Sequence, residues 1–271
     1  MKELDADSLP DLLNKIISGI EDQTNFYVWR GQSSAKWKPL PSLYRRLLNN
    51  GYKENELDEK LVREYEEDLF CEANSLGYYG EAGGNRLGLM AAMQHYGGAT
   101  RLLDVSLDPF IALWFASSNS GDNGCVLRYD VNPSCHARAE NIMTWSNIVD
   151  DRLRGKPVLY SPKRSNERIK AQSSAFLLTV LDGTLANGSV FTNGSEEISI
   201  TEVVFPKSLK GAIRNYLQVT HGLREYEVFP DLEGFAYANS ADARFQREHG
   251  CLYNSHESGG LFARPFNGYV K

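Results

Sequence analysis

MQHYGGATRLLDVSLDPFIALWFA, residues 93–116, is the stretch on which the reading of this chain turns. It begins as the end of a helix, breaks at Gly97-Gly98, continues as a short strand from Thr100 to Val105 and enters a new helix at Asp108-Pro109. Proline suits the first helical turn, where its missing N–H has no intrahelical bond to lose. The helix PFIALWFASS is apolar on every side, which predicts burial, with Phe110, Trp114 and Phe115 as core residues. Positions 95–108 also hold His95, Tyr96, Thr100, Arg101, Asp104, Ser106 and Asp108. So many hydrogen-bonding groups at one strand's rim point to a ligand. FYVWRGQ, residues 26–32, predicts a second strand ending on Arg30-Gly31, and the two together predict a site built from strands distant in sequence.

Outward from that stretch, helical and strand periods alternate without repeats or a clear linker. SLPDLLNKIISGI, residues 8–20, opens on a Ser cap and carries Leu and Ile at helical spacing. KWKPLPSLYRRLL, residues 36–48, reads as a proline turn into a short helix. Residues 55–76 place charges at i,i+4 and apolar residues on one stripe, a long amphipathic helix. A helix over 86–96 follows a glycine loop. Strands are predicted at 124–131, 172–180 and 198–205, and a helix from Pro206 to Leu217. Residues 132–165 read as irregular, with a helix around 141–153, and YEVFPDLEGFAYA reads as a loop with a helix start near Pro230. The expectation is a single mixed α+β domain with a helical N-terminal part. Its boundaries are an N-terminal helix over 1–20, a main domain over 21–238 and a tail over 239–271.

Composition narrows the function classes. The net charge of −6 disfavours a protein that holds nucleic acid permanently, because phosphate neutralisation dominates that affinity. Transient nucleic-acid substrates stay open, and local basic clusters stand at Arg45-Arg46 and across Lys163, Arg164, Arg168 and Lys170. No apolar run approaches the roughly 20 residues of a membrane helix. The acidic N-terminus is expected to be no signal peptide, and four scattered cysteines without CxxC spacing fit reduced thiols, so a cytoplasmic protein is expected. No HxH, HExxH or DxD pattern predicts a metal site, and neither a P-loop nor a helix-opening GxGxxG supports kinase or hydride chemistry.

Each candidate residue carries two readings. Arg30 suits bidentate phosphate or carboxylate binding, with Gly31 letting a ligand approach the backbone; alternatively Arg30 pairs with Asp104 to hold strands together. His95, Tyr96, Thr100, Arg101 and Asp104 either bind a diphosphate and a base, with Arg101 on phosphate, or form a cap-and-turn network with Asp104 paired to Arg101. Ser106 lacks a GxSxG elbow and reads as a pocket lining or helix cap rather than a nucleophile.

These residues resemble the FRG domain, a bacterial family whose Phe/Tyr-Arg-Gly motif stands here as Trp29-Arg30-Gly31-Gln32. LPSLYRR (40–46), QHYGGATRLLDVSLDPFIALWFA (94–116), NERIKAQSSAF (166–176) and VFPDLEG (228–234) resemble further blocks of that family in the same order, over roughly residues 20 to 235. Two departures are Ser173-Ser174, where the family tends to carry glycine after its Gln, and Ser106, where Thr is common.

A second resemblance is to ADP-ribosyltransferases. The order of a first-strand arginine, a Ser/Thr strand feeding an apolar helix and a late Gln or Glu is similar, with Arg30, Ser106 and Gln172 as counterparts. It implies an ADP-ribosyltransferase-like β-core, NAD as substrate, and a site in which Arg30, Gly31, Gln32, His95, Tyr96, Thr100, Arg101 and Asp104 hold the dinucleotide while Arg30, Ser106 and Gln172 serve catalysis. A glutamine is no general base, so Glu167, Asp231 or Glu233 would take the acceptor's proton, although Asp231 and Glu233 also read as an exposed helix start. The resemblances together imply a toxin or defence effector modifying nucleic acid or protein, held silent by a neutralising partner and independent of membranes. A metal-independent nuclease using His95, Arg30 and Arg101, and a nucleotide-sensing module without turnover, are the alternatives.

Overall fold

The computed structural model describes residues 1–20, 24–78, 85–118, 121–138, 154–162 and 167–232. Chain order gives β1 (Lys2–Asp5), α1 (Leu9–Ile17), β2 (Phe26–Gln32), α2 (Ser42–Asn49), α3 (Glu59–Ser75), α4 (Arg86–His95), β3 (Leu103–Ser106) and α5 (Pro109–Ala116). Then come β4 (Gly124–Val131), β5 (His136–Arg138), β6 (Pro157–Ser161), α6 (Glu167–Ala171), β7 (Ser174–Thr179), α7 (Val190–Asn193), β8 (Ile198–Phe205), α8 (Lys210–His221) and α9 (Glu225–Val228). The fold is α+β. Its strands form one sheet in the order β1-β8-β4-β2-β3-β7-β6-β5, antiparallel throughout except for parallel pairs at the two edges.

Pairing is uneven along the sheet. β4 matches β8 over eight positions and β2 over seven, whereas β2 and β3 share the single pair Trp29↔Ser106. Two groups of helices cover one face on either side of that weak joint. On one side Ile111 to Leu113 of α5, Leu12 of α1 and Ile213 of α8 pack with Trp29, Val126 and Val203. On the other, Phe70 of α3 and Met90 of α4 pack with Val158, Phe176 and Leu178. The opposite face carries Val28, Val105, Leu127, Tyr129, Leu177 and Phe191.

Local chemistry explains the elements around the joint. Asp108 caps α5, accepting from the Phe110 N–H at 2.8 Å, with Pro109 in the first turn. The helix then lies against β2 so closely that a Cβ on Gly31 would stand 1.7 Å from the Ala112 carbonyl oxygen. Gly31 is therefore required by helix-on-strand packing, which corrects the expectation that its bareness serves a ligand. α4 ends at Gly97 with φ +79°, a left-handed residue suited to glycine.

Other expectations are also revised. The strand predicted from Thr100 begins at Leu103, and β2 runs one residue past its predicted end on Arg30-Gly31, to Gln32. Gln172 precedes β7 instead of lying on it. Residues 157–161, read as irregular, form β6. Lys2 to Asp5, read as part of a helical end, pair with β8. The expected helix over 141–153, Lys163, Arg164, Glu233 and the tail over 239–271 lie outside the described residues. Among the described residues no helix is long and apolar enough to cross a membrane.

Candidate functional site

At the weak β2–β3 joint, where the two helix groups meet, the sheet opens into a cavity of about 300 Å³. Its polar lining comes from Arg30, Gln94, His95, Asp104, Arg168 and Gln172, with Ser106 and Ser174 beneath. Its apolar lining comes from Trp29, Ile111, Phe115, Phe176 and Phe229. Phe115, expected only as core, is also wall. A hollow that combines aromatic walls with converging polar groups has the makings of a small-molecule site.

Arg30 stands where the β2–β3 ladder stops. Its Nη1 donates to the Asp104 carbonyl at 2.8 Å, a side-chain bond in place of ladder bonds, and lies 3.9 Å from the Asp104 Oδ2. Its buried Nε has no hydrogen-bond acceptor among the described residues. Buried N–H groups are seldom left so, and exceptions cluster where function demands them. Arg45 of α2 lies in the same field. Partial burial, then the positive charge of Arg30, push its pKa down, and Asp104 opposes them.

Asp104 projects from β3 with over half of its side chain exposed. Gln94 of α4, which sequence reasoning did not single out, donates from Nε2 to the Asp104 Oδ2 at 2.6 Å. The Gln94 Oε1 is fixed in turn, accepting from the Thr100 hydroxyl at 2.6 Å and the Ser42 hydroxyl at 3.3 Å. The signal that could have found it is its position one turn before the glycine stop of α4, beside His95.

Ser106 and Gln172 border the cavity with their polar groups engaged. The Ser106 hydroxyl donates to the Gln172 carbonyl at 2.8 Å and accepts from the Asp108 N–H at 3.0 Å. The Gln172 side-chain amide donates to the Val228 carbonyl at 3.1 Å. Both therefore shape the wall.

One rim is a clasp. Arg168 grips both carboxylate oxygens of Asp231 at 2.7 Å, donates to the His95 carbonyl at 3.1 Å and lies 5.1 Å from the Phe229 ring. Such forked, charge-assisted pairs are geometrically specific. The His95 Nε2 stands 4.0 Å from Asp231.

Four predicted site residues lie elsewhere. Gln32 is buried and donates to the Trp37 carbonyl at 2.7 Å. Thr100 is fully buried, joining α2, α4 and β3 through Ser42, Gln94 and the Leu102 N–H. Tyr96 is exposed, edge-on to the His95 ring and outside the cavity lining. Arg101 is wholly buried and bound by carboxylates: Glu66 takes its Nε and Nη2 at 2.6 Å and Glu59 takes its Nη1 at 3.0 Å. Burial works against that charge, yet the two glutamates raise the pKa of Arg101 above its ordinary value. Of the other candidate bases, Glu167 bonds the Lys170 ammonium at 2.6 Å and lies outside the lining.

No curated protein and no solved structure matches the chain. Residues 25–124, which run from β2 to the first residue of β4 and carry Arg30, Gln94, His95, Asp104 and Ser106, match the FRG domain and are similar to that family.

Proposed function

We propose that the cavity binds the nicotinamide end of NAD and that the chain transfers ADP-ribose to an acceptor on nucleic acid or protein. One observation supports this above others: Arg30, Ser106 and Gln172, the counterparts in the resemblance to ADP-ribosyltransferases, border one cavity although 142 positions separate the first from the last (172 minus 30). The cavity's size suits the nicotinamide riboside half, with the rest of the dinucleotide at the mouth. The ring would lie among Phe115, Phe176 and Phe229. Arg30 would meet a phosphate or ribose oxygen.

In the reaction, the bond between ribose C1′ and the nicotinamide nitrogen breaks, and its electron pair leaves with nicotinamide. Positive charge spreads over C1′ and the ring oxygen. An acceptor oxygen or nitrogen donates a lone pair to C1′ and loses its proton. Catalysis would come from fixed charge around the ribose and exclusion of water. As the resemblance implies, the biological setting would be a cytoplasmic toxin or defence effector restrained by a partner protein.

Purified protein incubated with adenylate-labelled NAD and cell RNA or lysate should release nicotinamide and transfer the label. Arg30→Ala should fold normally and lose about 100-fold in transfer. Absence of both label and free nicotinamide would overturn the reading. A nucleotide sensor is the second reading, favoured by the engagement of Ser106 and Gln172 in the scaffold. It gives saturable NAD binding without turnover, and a nuclease gives RNA cleavage without NAD and in chelator.

A further inference from the structure

We infer that Asp104 is the carboxylate that touches the reacting ribose, and that Gln94 is the positioning residue that aims it. The inference rests on the ADP-ribosyl-transfer reading and departs from the roles expected of Ser106 and Gln172. It starts from a count of what is left to do chemistry. Asp231 has both oxygens in the Arg168 fork, Asp108 caps α5, and Glu167 lies outside the lining beside Lys170. Asp104 is the one acidic side chain lining the cavity among the described residues, and it is open to solvent there.

Its setting is built. An amide side chain can present either end to a carboxylate, and only the N–H end attracts. The Thr100 hydroxyl decides the matter by donating to the Gln94 oxygen at 2.6 Å, with the Ser42 hydroxyl shared between that oxygen at 3.3 Å and the Thr100 carbonyl at 3.2 Å, so the amide is turned towards Asp104. Thr100 is itself locked, accepting from the Leu102 N–H at 3.1 Å while Ser42 accepts from its backbone N–H at 2.9 Å. Arg30 holds the strand beneath through the Asp104 carbonyl. A relay of three side chains, Ser42 from α2, Gln94 from α4 and Thr100 from the turn before β3, thus ends on the exposed Asp104 carboxylate.

The chemistry follows from the position. As the C1′–nitrogen bond breaks and nicotinamide takes the pair, the Asp104 carboxylate faces the positive charge on C1′. When the acceptor's lone pair forms the new bond to C1′, its proton passes to Asp104 and then to water. The charged and titratable groups around Asp104 are Arg30 from β2, Arg45 from α2, His95 from α4 and Arg168 from α6. Burial raises the pKa of the Asp104 carboxyl above its ordinary value, opposed by the charge of Arg30, the Gln94 hydrogen bond and the charge of Arg45.

The test measures NAD binding by calorimetry, and nicotinamide release as a function of pH, for wild type, Asp104→Asn and Gln94→Glu. Asp104→Asn should bind NAD within about 3-fold of wild type and release nicotinamide about 100-fold more slowly. Gln94→Glu, which sets a second carboxylate beside Asp104, should move the acid limb of the release profile up by about one pH unit, a response a packing role would not give. Asp104→Glu serves as a second variant should Asp104→Asn melt early, with release expected to fall because the carboxylate is displaced by a methylene. Wild-type release from Asp104→Asn, or an unmoved acid limb in Gln94→Glu, would overturn the assignment while leaving the transfer reading intact. Neither binding nor release by wild type would end both.

Discussion

Ser173 has a φ of +45°, the sole non-glycine residue with positive φ among those described. It lies between Gln172 and β7, and its carbonyl accepts the Leu107 N–H at 2.9 Å, so the turn cannot relax without breaking that bond. A left-handed backbone costs an L-residue roughly 1–2 kcal/mol, partly offset by glycine's greater loss of freedom on folding. Ser173→Gly should therefore stabilise the protein by about 0.5–1 kcal/mol, read as a higher urea midpoint at unchanged slope. Ser173→Ala should not, and equal gains from both would disprove the backbone account. The departure read at Ser173-Ser174 in the sequence thus falls on a residue whose left-handed backbone favours glycine. Other residue roles were less legible. Arg30, His95, Asp104 and Ser106, which cluster at two strands' rims in the sequence, border one cavity, and Gln172 from a later segment borders it too. Arg101 and Thr100 stand in the same polar cluster, yet nothing local tells a buried arginine from an exposed one.

What decides Arg101 is an element 35 positions upstream. α3 presents Glu59 and Glu66 on one face, two turns apart, and Arg101 closes the pair from the turn before β3. The Glu59 Oε2 also accepts the Leu181 N–H at 3.0 Å, so the network ties α3 to the end of the β7 region. Breaking one member of a buried ionic network strands the remaining charges. Arg101→Ala or Glu66→Ala should cost about 3–5 kcal/mol, measured by urea unfolding, whereas Arg101→Met with Glu66→Leu should recover much of the loss. Nucleotide binding by folded Arg101→Ala should match wild type, and weakened binding would restore the ligand role that the sequence proposed. Elements with strong periods or end signals were readable: α3, α5, β4 and β8 fall where alternation, caps and glycines place them. β1 and β6 were not. β1 owes its existence to a partner edge on β8, and β6 is a four-residue apolar run whose partner β7 fixes it as strand.

Across the whole molecule, the chain's last described elements close the cavity. α9 and the residues after it are fastened by the Arg168–Asp231 fork and the Gln172–Val228 bond, with Phe229 resting edge-on to Trp114 and Phe115. The amides of Glu227, Val228 and Phe229 depend on local bonds to Arg224 and Glu225 alone. Asp231→Asn should speed hydrogen exchange at those three amides about 10-fold, equal to roughly 1.4 kcal/mol of local stability, with little change in the global midpoint. Unchanged exchange would mean that the aromatic contacts, not the fork, hold this segment. The α+β class could be inferred from the alternation of helical and strand periods, but strand order could not, because it joins segments as distant as β1 and β8.

The lone Trp29↔Ser106 contact gives the sheet something like a perforation line. Two well-knit blocks, β1-β8-β4-β2 and β3-β7-β6-β5, are stitched there chiefly by side chains, with Arg30 as one stitch. A compound lodged in the gap would act as a rivet between the blocks, adding about 2.7 kcal/mol when present at a hundred times its dissociation constant. Heat resistance would then report occupancy directly, so even a guest of unknown chemistry would announce itself in a melting curve.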